Sequence, residues 1–256
     1  MKNKFTEKIQ ERSKNISSRI VLALDYTKEN PETLEKKAIK IIEKLERSIV
    51  AIKINYHLLI PLELKKVQNI IGTAHKKGIL AIADIKLNDI SSTNLIVGDN
   101  LWQAGFDAII ANPIAGYHEG IEPLIEQAHK IGKGIILLVY MSHKGAEDGY
   151  GLTVKGENNK QSKLYELFLE KALNWEADGV IIGATKPDII SYSAEKLNGR
   201  IPIFCPGVGF QGGSHIDAVK AGANFLIIGR TILDATDSLE ITELIRRDVC
   251  GTHLKI

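Results

Sequence analysis

The chain has 256 residues, 44% hydrophobic and 25% charged, with 33 Lys and Arg against 31 Asp and Glu for a formal net charge of +2. This is globular material for one large domain or two small ones, without the basic stripe of a nucleic-acid binder or the acidic tail that seeks a charged partner. Two cysteines without C-x-x-C spacing (Cys205 and Cys250), an N-terminus with no apolar signal core, and no run near the ~18 apolar residues of a membrane span predict a reducing, cytoplasmic protein with no membrane, disulfide or zinc framework.

In chain order, residues 1–19 come first, with Phe5 and Ile9 one turn apart; they predict an amphipathic helical extension able to pack across the bottom of the domain that follows. Beyond them, short runs rich in Ile, Val, Leu and Ala alternate with longer polar stretches of helical spacing, the mark of βα units around a parallel sheet. The expected strands are Ile20 to Leu24, Ile49 to Ile54, Ile79 to Ile85, Ala108 to Ala111, Ile135 to Val139, Gly179 to Ile182, Ile201 to Phe204 and Phe225 to Ile228. Three of their lead-ins resemble one another: Phe106-Asp107-Ala108, Ala177-Asp178-Gly179 and Ala223-Asn224-Phe225, each read as a helix end handing over to a buried strand. Eight such units predict a single-domain (β/α)8 TIM barrel over 20–256, with a doubly wound open sheet as the competing α/β architecture. Gly145 to Ser162, carrying Gly149, Gly151, Gly156 and Asn158-Asn159, is the longest stretch without a pattern and is expected to be an active-site lid.

In a barrel, the C-terminal strand ends share one mouth, where barrel enzymes do their chemistry. Strand one ends in Asp25, strand two carries Lys53, and strand three closes with Ala83-Asp84-Ile85-Lys86-Leu87-Asn88-Asp89. Asp84 and Lys86, two apart on a strand, share a face and reach the neighbouring Lys53. Flanking carboxylates favour the ammonium form of Lys86 where burial alone would disfavour it, so it is poised to give a proton rather than take one. By charge pattern alone, this cluster reads equally well as a structural salt-bridge network. Asp25 taken singly reads as a helix N-cap, with Thr27 and Glu29 nearby.

Strand five ends in Tyr140-Met141-Ser142-His143. Strands seven and eight end in Pro206-Gly207-Val208-Gly209-Phe210-Gln211-Gly212-Gly213 and Gly229-Arg230. The glycine-rich loop can turn its amides inward as an anion nest, and Arg230 supplies a cation where many barrels hold phosphate. His75, His118, His215 and His253 lack metal-ligand spacing and read as surface or capping residues. Ser142 beside His143 is no nucleophilic pair, since sequence neighbours seldom face each other and no G-x-S-x-G elbow is present.

Together, Asp84-x-Lys86-x-x-Asp89-Ile90 with Thr93, Asp25 and Lys53 upstream, Met141-Ser142-His143 downstream, and the Pro206 to Gly213 loop before Gly229-Arg230 resemble orotidine 5′-monophosphate decarboxylases, most of all the compact archaeal-type branch. The likeness runs from about Ile20 to Asp234. It implies conversion of orotidine 5′-monophosphate to uridine 5′-monophosphate without metal or organic cofactor. It also implies that Lys86 protonates C6, Asp84 faces the substrate carboxylate, and Lys53 and Asp25 hold ribose hydroxyls. Ser142 and Gln211 would contact the base, and Pro206, Gly207, Val208, Gly209, Gln211, Gly212, Gly213, Gly229 and Arg230 would surround the phosphate. Asp89, Ile90 and Thr93 would reach the neighbouring subunit's site, which implies a homodimer. Ser91-Ser92 before Thr93, where many members have Pro after the Asp-Ile pair, and the longer loop after Ser142 depart from the family pattern.

The same Asp-x-Lys-x-x-Asp strand occurs in magnesium-dependent sugar-phosphate decarboxylases and hexulose phosphate synthases. Those barrels carry a carboxylate on strand two, where this chain has Lys53, a cation that would repel the metal.

Overall fold

A computed structural model describes residues 4–27, 29–155 and 161–250. Strands β1 (Ile20–Ala23), β2 (Ala51–Asn55), β3 (Leu80–Leu87), β4 (Ala108–Ala111), β5 (Gly134–Tyr140), β8 (Gly179–Ile182), β9 (Ile203–Pro206) and β10 (Phe225–Ile228) form a closed barrel in the order β1-β10-β9-β8-β5-β4-β3-β2, with β6 (Thr153–Lys155) and β7 (Gln161–Lys163) outside it. Every barrel pairing is parallel. The principal helices are α1 (Lys4–Ile16), α2 (Pro31–Lys44), α3 (Tyr56–Lys76), α4 (Ser91–Gln103), α5 (Glu122–Lys130), α6 (Glu147–Tyr150), α7 (Leu164–Asn174), α8 (Pro187–Leu197), α9 (His215–Lys220), α10 (Arg230–Leu233) and α11 (Ser238–Cys250). None among the described residues is long and apolar enough to cross a membrane.

The strands are apolar on both faces because each face meets a different core. One set, including Ile20, Leu22, Ile52, Ile54, Ala81 and Ile109, packs outward against the helices. The alternate set, including Val21, Ala23, Ala51, Leu80, Ile82, Ile110, Ile136 and Leu138, fills the barrel interior together with Phe5 and Ile9 of α1. Both α1 side chains are fully buried, so the apolar stripe read from the sequence closes the barrel's lower end. A period of two carries the interior upward to the site. The inward position after Ala23 is Asp25, after Ala51 it is Lys53, after Ile82 it is Asp84, and after Ile227 it is Gly229.

The three similar lead-ins have a shared physical cause. Asp107 Oδ2 accepts the Ala81 amide at 2.9 Å, Asp178 Oδ2 accepts the Ile135 amide at 2.7 Å, and Asn224 Oδ1 accepts the Ile203 amide at 2.8 Å. Each side chain reaches sideways to the start of the preceding barrel strand and satisfies a buried donor there. His75 Nε2 joins Asp107 at 2.8 Å, and His129 Nε2 joins Asp178 at 3.1 Å.

The described residues of the 145–162 stretch are not structureless as their glycines led us to expect. They contain α6 and the antiparallel pair β6–β7, registered Thr153 to Lys163 and Lys155 to Gln161. Lys163 Nζ donates back to the Gly151 carbonyl at 2.8 Å, and Tyr140 Oη donates to Glu147 at 2.6 Å, so the insertion is tied to the end of β5. Gly156 and Asn158-Asn159 lie outside the described residues.

Candidate active site

A cavity of about 640 Å³ opens at the C-terminal mouth of the barrel. Its floor is apolar, from Ile110, Leu138, Ile181 and Ile227, and its wall holds a row of alternating charges. Lys53 Nζ lies 3.7 Å from Asp25 Oδ1 and 2.9 Å from Asp84 Oδ2, while Lys86 Nζ lies 2.7 Å from the other Asp84 oxygen. The side chain of Lys53 is 7% exposed, that of Asp84 12% and that of Lys86 39%, so Lys86 is the member of the row most open to a ligand. Burial is the largest single influence on Asp84 and pushes its carboxyl up. The charges and hydrogen bonds of Lys53 and Lys86 together outweigh it and hold the group below the usual carboxylate range.

Lys86 reaches this position from an unusual backbone. Its φ is 47°, in the left-handed region, where a side chain is strained, and the β3–β4 register shifts between Ala83 and Leu87. Ile85 and Leu87 stay in the outer core, which keeps Lys86 turned inward between them. Strain of roughly 1–3 kcal/mol at such a residue persists only where its surroundings over-determine it.

Asp25 does not cap a helix. Asn30 caps α2, its side chain accepting the Thr33 amide at 2.8 Å, which frees Asp25 to face Lys53 and Asn55. Asn55 and His57 also line the cavity and carry no strand-end motif in the sequence. Asn55 ends β2, donates to Asp25 at 3.4 Å and accepts the His57 amide at 3.1 Å as the N-cap of α3. Burial lowers His57 from its ordinary value despite the opposing Asp25 charge, which favours the neutral imidazole. Because α3 starts directly after β2, no loop residues signalled that these side chains would face the mouth.

Ser142, Gln211 and Arg230 line the cavity as well. Ser142 and Gln211 are brought together across Gly207 (φ 91°): a β-carbon there would stand 2.7 Å from Ser142 Cβ and 2.8 Å from Gln211 Oε1. The loop is built differently from an open nest of amides. Gly209 N donates to Gly213 O, Gly212 N to Gly209 O, Gly213 N to Gly207 O, and Phe210 N to Thr231 Oγ1, so four of its amides are already engaged. Gly209 (φ 72°) is required here, because a β-carbon would run into the Thr231 side chain. Arg230 lines the cavity with its guanidinium carbon 3.6 Å from the centre of the Phe210 ring.

Pro206, Gly207, Val208 and Gly229 line the cavity as well, whereas Gly209, Gly212 and Gly213 shape the loop behind it. Asp89, Ile90 and Thr93 are not brought to this cavity. Asp89 and Ile90 are exposed beside it, the Asp89 carbonyl held at 2.7 Å by buried Asn94, whose amide also reaches Gly120 O at 3.0 Å. His143 lines the mouth without a hydrogen bond to Ser142. His118 and His215 pair with Glu122 and Asp248, each at 2.9 Å, and His253 lies outside the described residues.

A family model described as "Orotidine 5′-phosphate decarboxylase / HUMPS family" matches residues 18–245. The orotidine 5′-phosphate decarboxylase of Pyrococcus abyssi is 33% identical over 232 residues, covering 91% of this chain and 99% of the relative. That of Thermococcus kodakarensis is 34% identical, covering 91% and 97%. The crystal structure of orotidine 5′-phosphate decarboxylase from Pyrococcus horikoshii superposes with a TM-score of 0.73 at 34% identity, covering 91% of this chain and 99% of that one.

Proposed function

The chain belongs to the orotidine 5′-phosphate decarboxylase / HUMPS family, and from that premise we infer a division of labour among the residues at the barrel mouth. The protein is a carboxy-lyase that converts orotidine 5′-monophosphate to uridine 5′-monophosphate in pyrimidine synthesis. The observation that carries the assignment of roles is the unbroken row Asp25, Lys53, Asp84, Lys86, whose most exposed end is an ammonium.

In this reading the nucleotide lies with its base on the apolar floor and C6 toward Lys86. The C6 carboxylate meets Asp84, a like charge that two lysines keep ionised, so bound substrate is disfavoured relative to a state in which CO2 has left. The C6–carboxylate bond breaks and its electron pair stays on C6. The Lys86 ammonium stabilises that pair as it develops and then transfers a proton to C6. An sp2 carbanion is a base strong enough to take a proton even from an ammonium held between carboxylates. Since the pair is met by a cation already in place, the scheme calls for no metal and no organic electron sink. Lys53 and Asp25 hold ribose hydroxyls, Ser142 and Gln211 read the base, and Arg230 with the Pro206 to Gly213 loop grips the phosphate.

A second copy of the chain completes the site. Asp89, Ile90 and Thr93 lie beside the cavity rather than in it, and Ile90 and Ile96 are 63% and 64% exposed on the same stretch, apolar area that a homodimer would cover. Residues 1–19 act as the closing extension of a catalytic unit spanning 20–256. A cytoplasmic setting suits the charged nucleotide and the free thiols of Cys205 and Cys250.

The magnesium-dependent sister reaction is disfavoured by the same row. A divalent cation brought to Asp84 would meet ammonium groups at both of its oxygens. The test follows the ultraviolet change of orotidine 5′-monophosphate with purified protein in excess chelator. Full turnover is expected, and activity that returned only with added magnesium would overturn the scheme.

A further inference from the structure

We propose that Phe210 is a positioning residue for the phosphate-binding cation, holding the guanidinium of Arg230 by its face so that its edge points into the cavity. The inference rests on the assignment of Arg230 to the substrate phosphate. Arg230 is an exposed side chain, and among the described residues no carboxylate lies within ion-pair distance of it. A free arginine at such a site would spend most of its time in other rotamers, and ordering it would weaken binding. Among the described residues, the contact that orders it is with the Phe210 ring, the guanidinium carbon lying 3.6 Å from the ring centroid. Stacking occupies only the guanidinium face, and its N–H donors all lie in the plane, so the fork that matches a phosphate stays free.

The ring is itself fixed from behind. The Phe210 amide donates to Thr231 Oγ1 at 3.1 Å, and that hydroxyl donates on to the Val208 carbonyl at 3.2 Å. Thr231 is the residue after Arg230. The strand-nine loop and the start of α10 are thus joined twice, by the Thr231 hydroxyl on one side and by the stack on the other. Phe210 is 64% exposed, and it lines the cavity instead of packing into the core, which is the placement of a side chain with a task at the surface.

The test is a kinetic cycle with Phe210→Ala, Phe210→Trp, Arg230→Ala and the Phe210→Ala/Arg230→Ala double variant, reading kcat and KM for orotidine 5′-monophosphate and inhibition by uridine 5′-monophosphate and by uridine. Phe210→Ala is expected to raise KM and the nucleotide inhibition constant about two- to fivefold, the range of an exposed cation–π contact, with kcat little changed and uridine inhibition unchanged. Phe210→Trp should restore wild-type values, and in the Arg230→Ala background the Phe210 substitution should have no further effect. An equal loss for uridine, or the same loss with Arg230 absent, would overturn the positioning role. If Arg230→Ala leaves nucleotide and uridine inhibition equally unaffected, the phosphate assignment itself fails. If Arg230→Ala weakens only the nucleotide and Phe210→Ala weakens nothing, the failure is confined to Phe210.

Discussion

Lys86 stands 2.7 Å from Asp84, two residues earlier on the same strand, with its own backbone in the left-handed region. The pair is assembled almost locally, yet the second Asp84 oxygen is held by Lys53 from the neighbouring strand at 2.9 Å. Removing the half-exposed lysine therefore leaves the mostly buried carboxylate with Lys53 as its remaining lysine partner.

For that reason Lys86→Ala should fold and bind uridine 5′-monophosphate while its turnover falls by about 10³-fold or more, the combined loss of a proton donor and of charge stabilisation. Stopped-flow or ultraviolet assays of turnover beside a binding isotherm check this. Turnover within a few fold of wild type would remove Lys86 from the chemistry.

The proposed sharing of Asp89 between subunits predicts complementation. Asp89→Asn and Lys86→Ala should each be nearly inactive, and mixing them under subunit exchange should restore activity. Random reassortment places one native site in each mixed dimer, or about a quarter of the wild-type sites overall. If mixing restored nothing while mixed dimers formed, Asp89 would be serving its own subunit.

At the barrel base, the hydrogen bond to Asp178 holds His129 above its ordinary value, against the opposing effect of burial. A folded-state value raised above the unfolded one means that this contribution to stability is complete below about pH 6.5 and fades as the pH rises through the folded-state value. The His129 side chain is 29% exposed, so the contribution should stay within about 1 kcal/mol. Urea unfolding of wild type and His129→Gln from about pH 6 to about pH 9 should show a stability gap that narrows with pH. A gap that widened would reverse the sign of the argument.

The barrel was legible in the sequence because buried parallel strands are continuous aliphatic runs, and these runs fall on the strands to within about two residues at every end. The β6–β7 pair was not, because Thr153-Val154-Lys155 and Gln161-Ser162-Lys163 carry no apolar face and owe their form to each other and to Lys163. The charged row was legible as chemistry at strand ends; its charge pattern alone was balanced between a site and a salt-bridge network, and the residues at the other strand ends tipped it toward a site. Taken singly, Asp25 read as a cap because its Lys53 partner is distant in sequence while cap-like residues are adjacent, and the cap is Asn30 ahead of Pro31. In the 206–213 loop the glycines were visible, but the internal pairing that uses four amides depends on Thr231 and on loop closure, which composition does not report.

The side-chain brackets from Asp107, Asp178 and Asn224 have a consequence for how such a chain can change over generations. They hold neighbouring strands in register from the end of the barrel remote from the ligand, so register does not depend on what the loops at the mouth contain. The Asp178 bracket spans the whole insertion between β5 and β8, which can lengthen or shorten without sliding one strand past the other. Substrate range is thereby uncoupled from foldability, and new chemistry at the rim can be tried on a chassis that does not feel the trial.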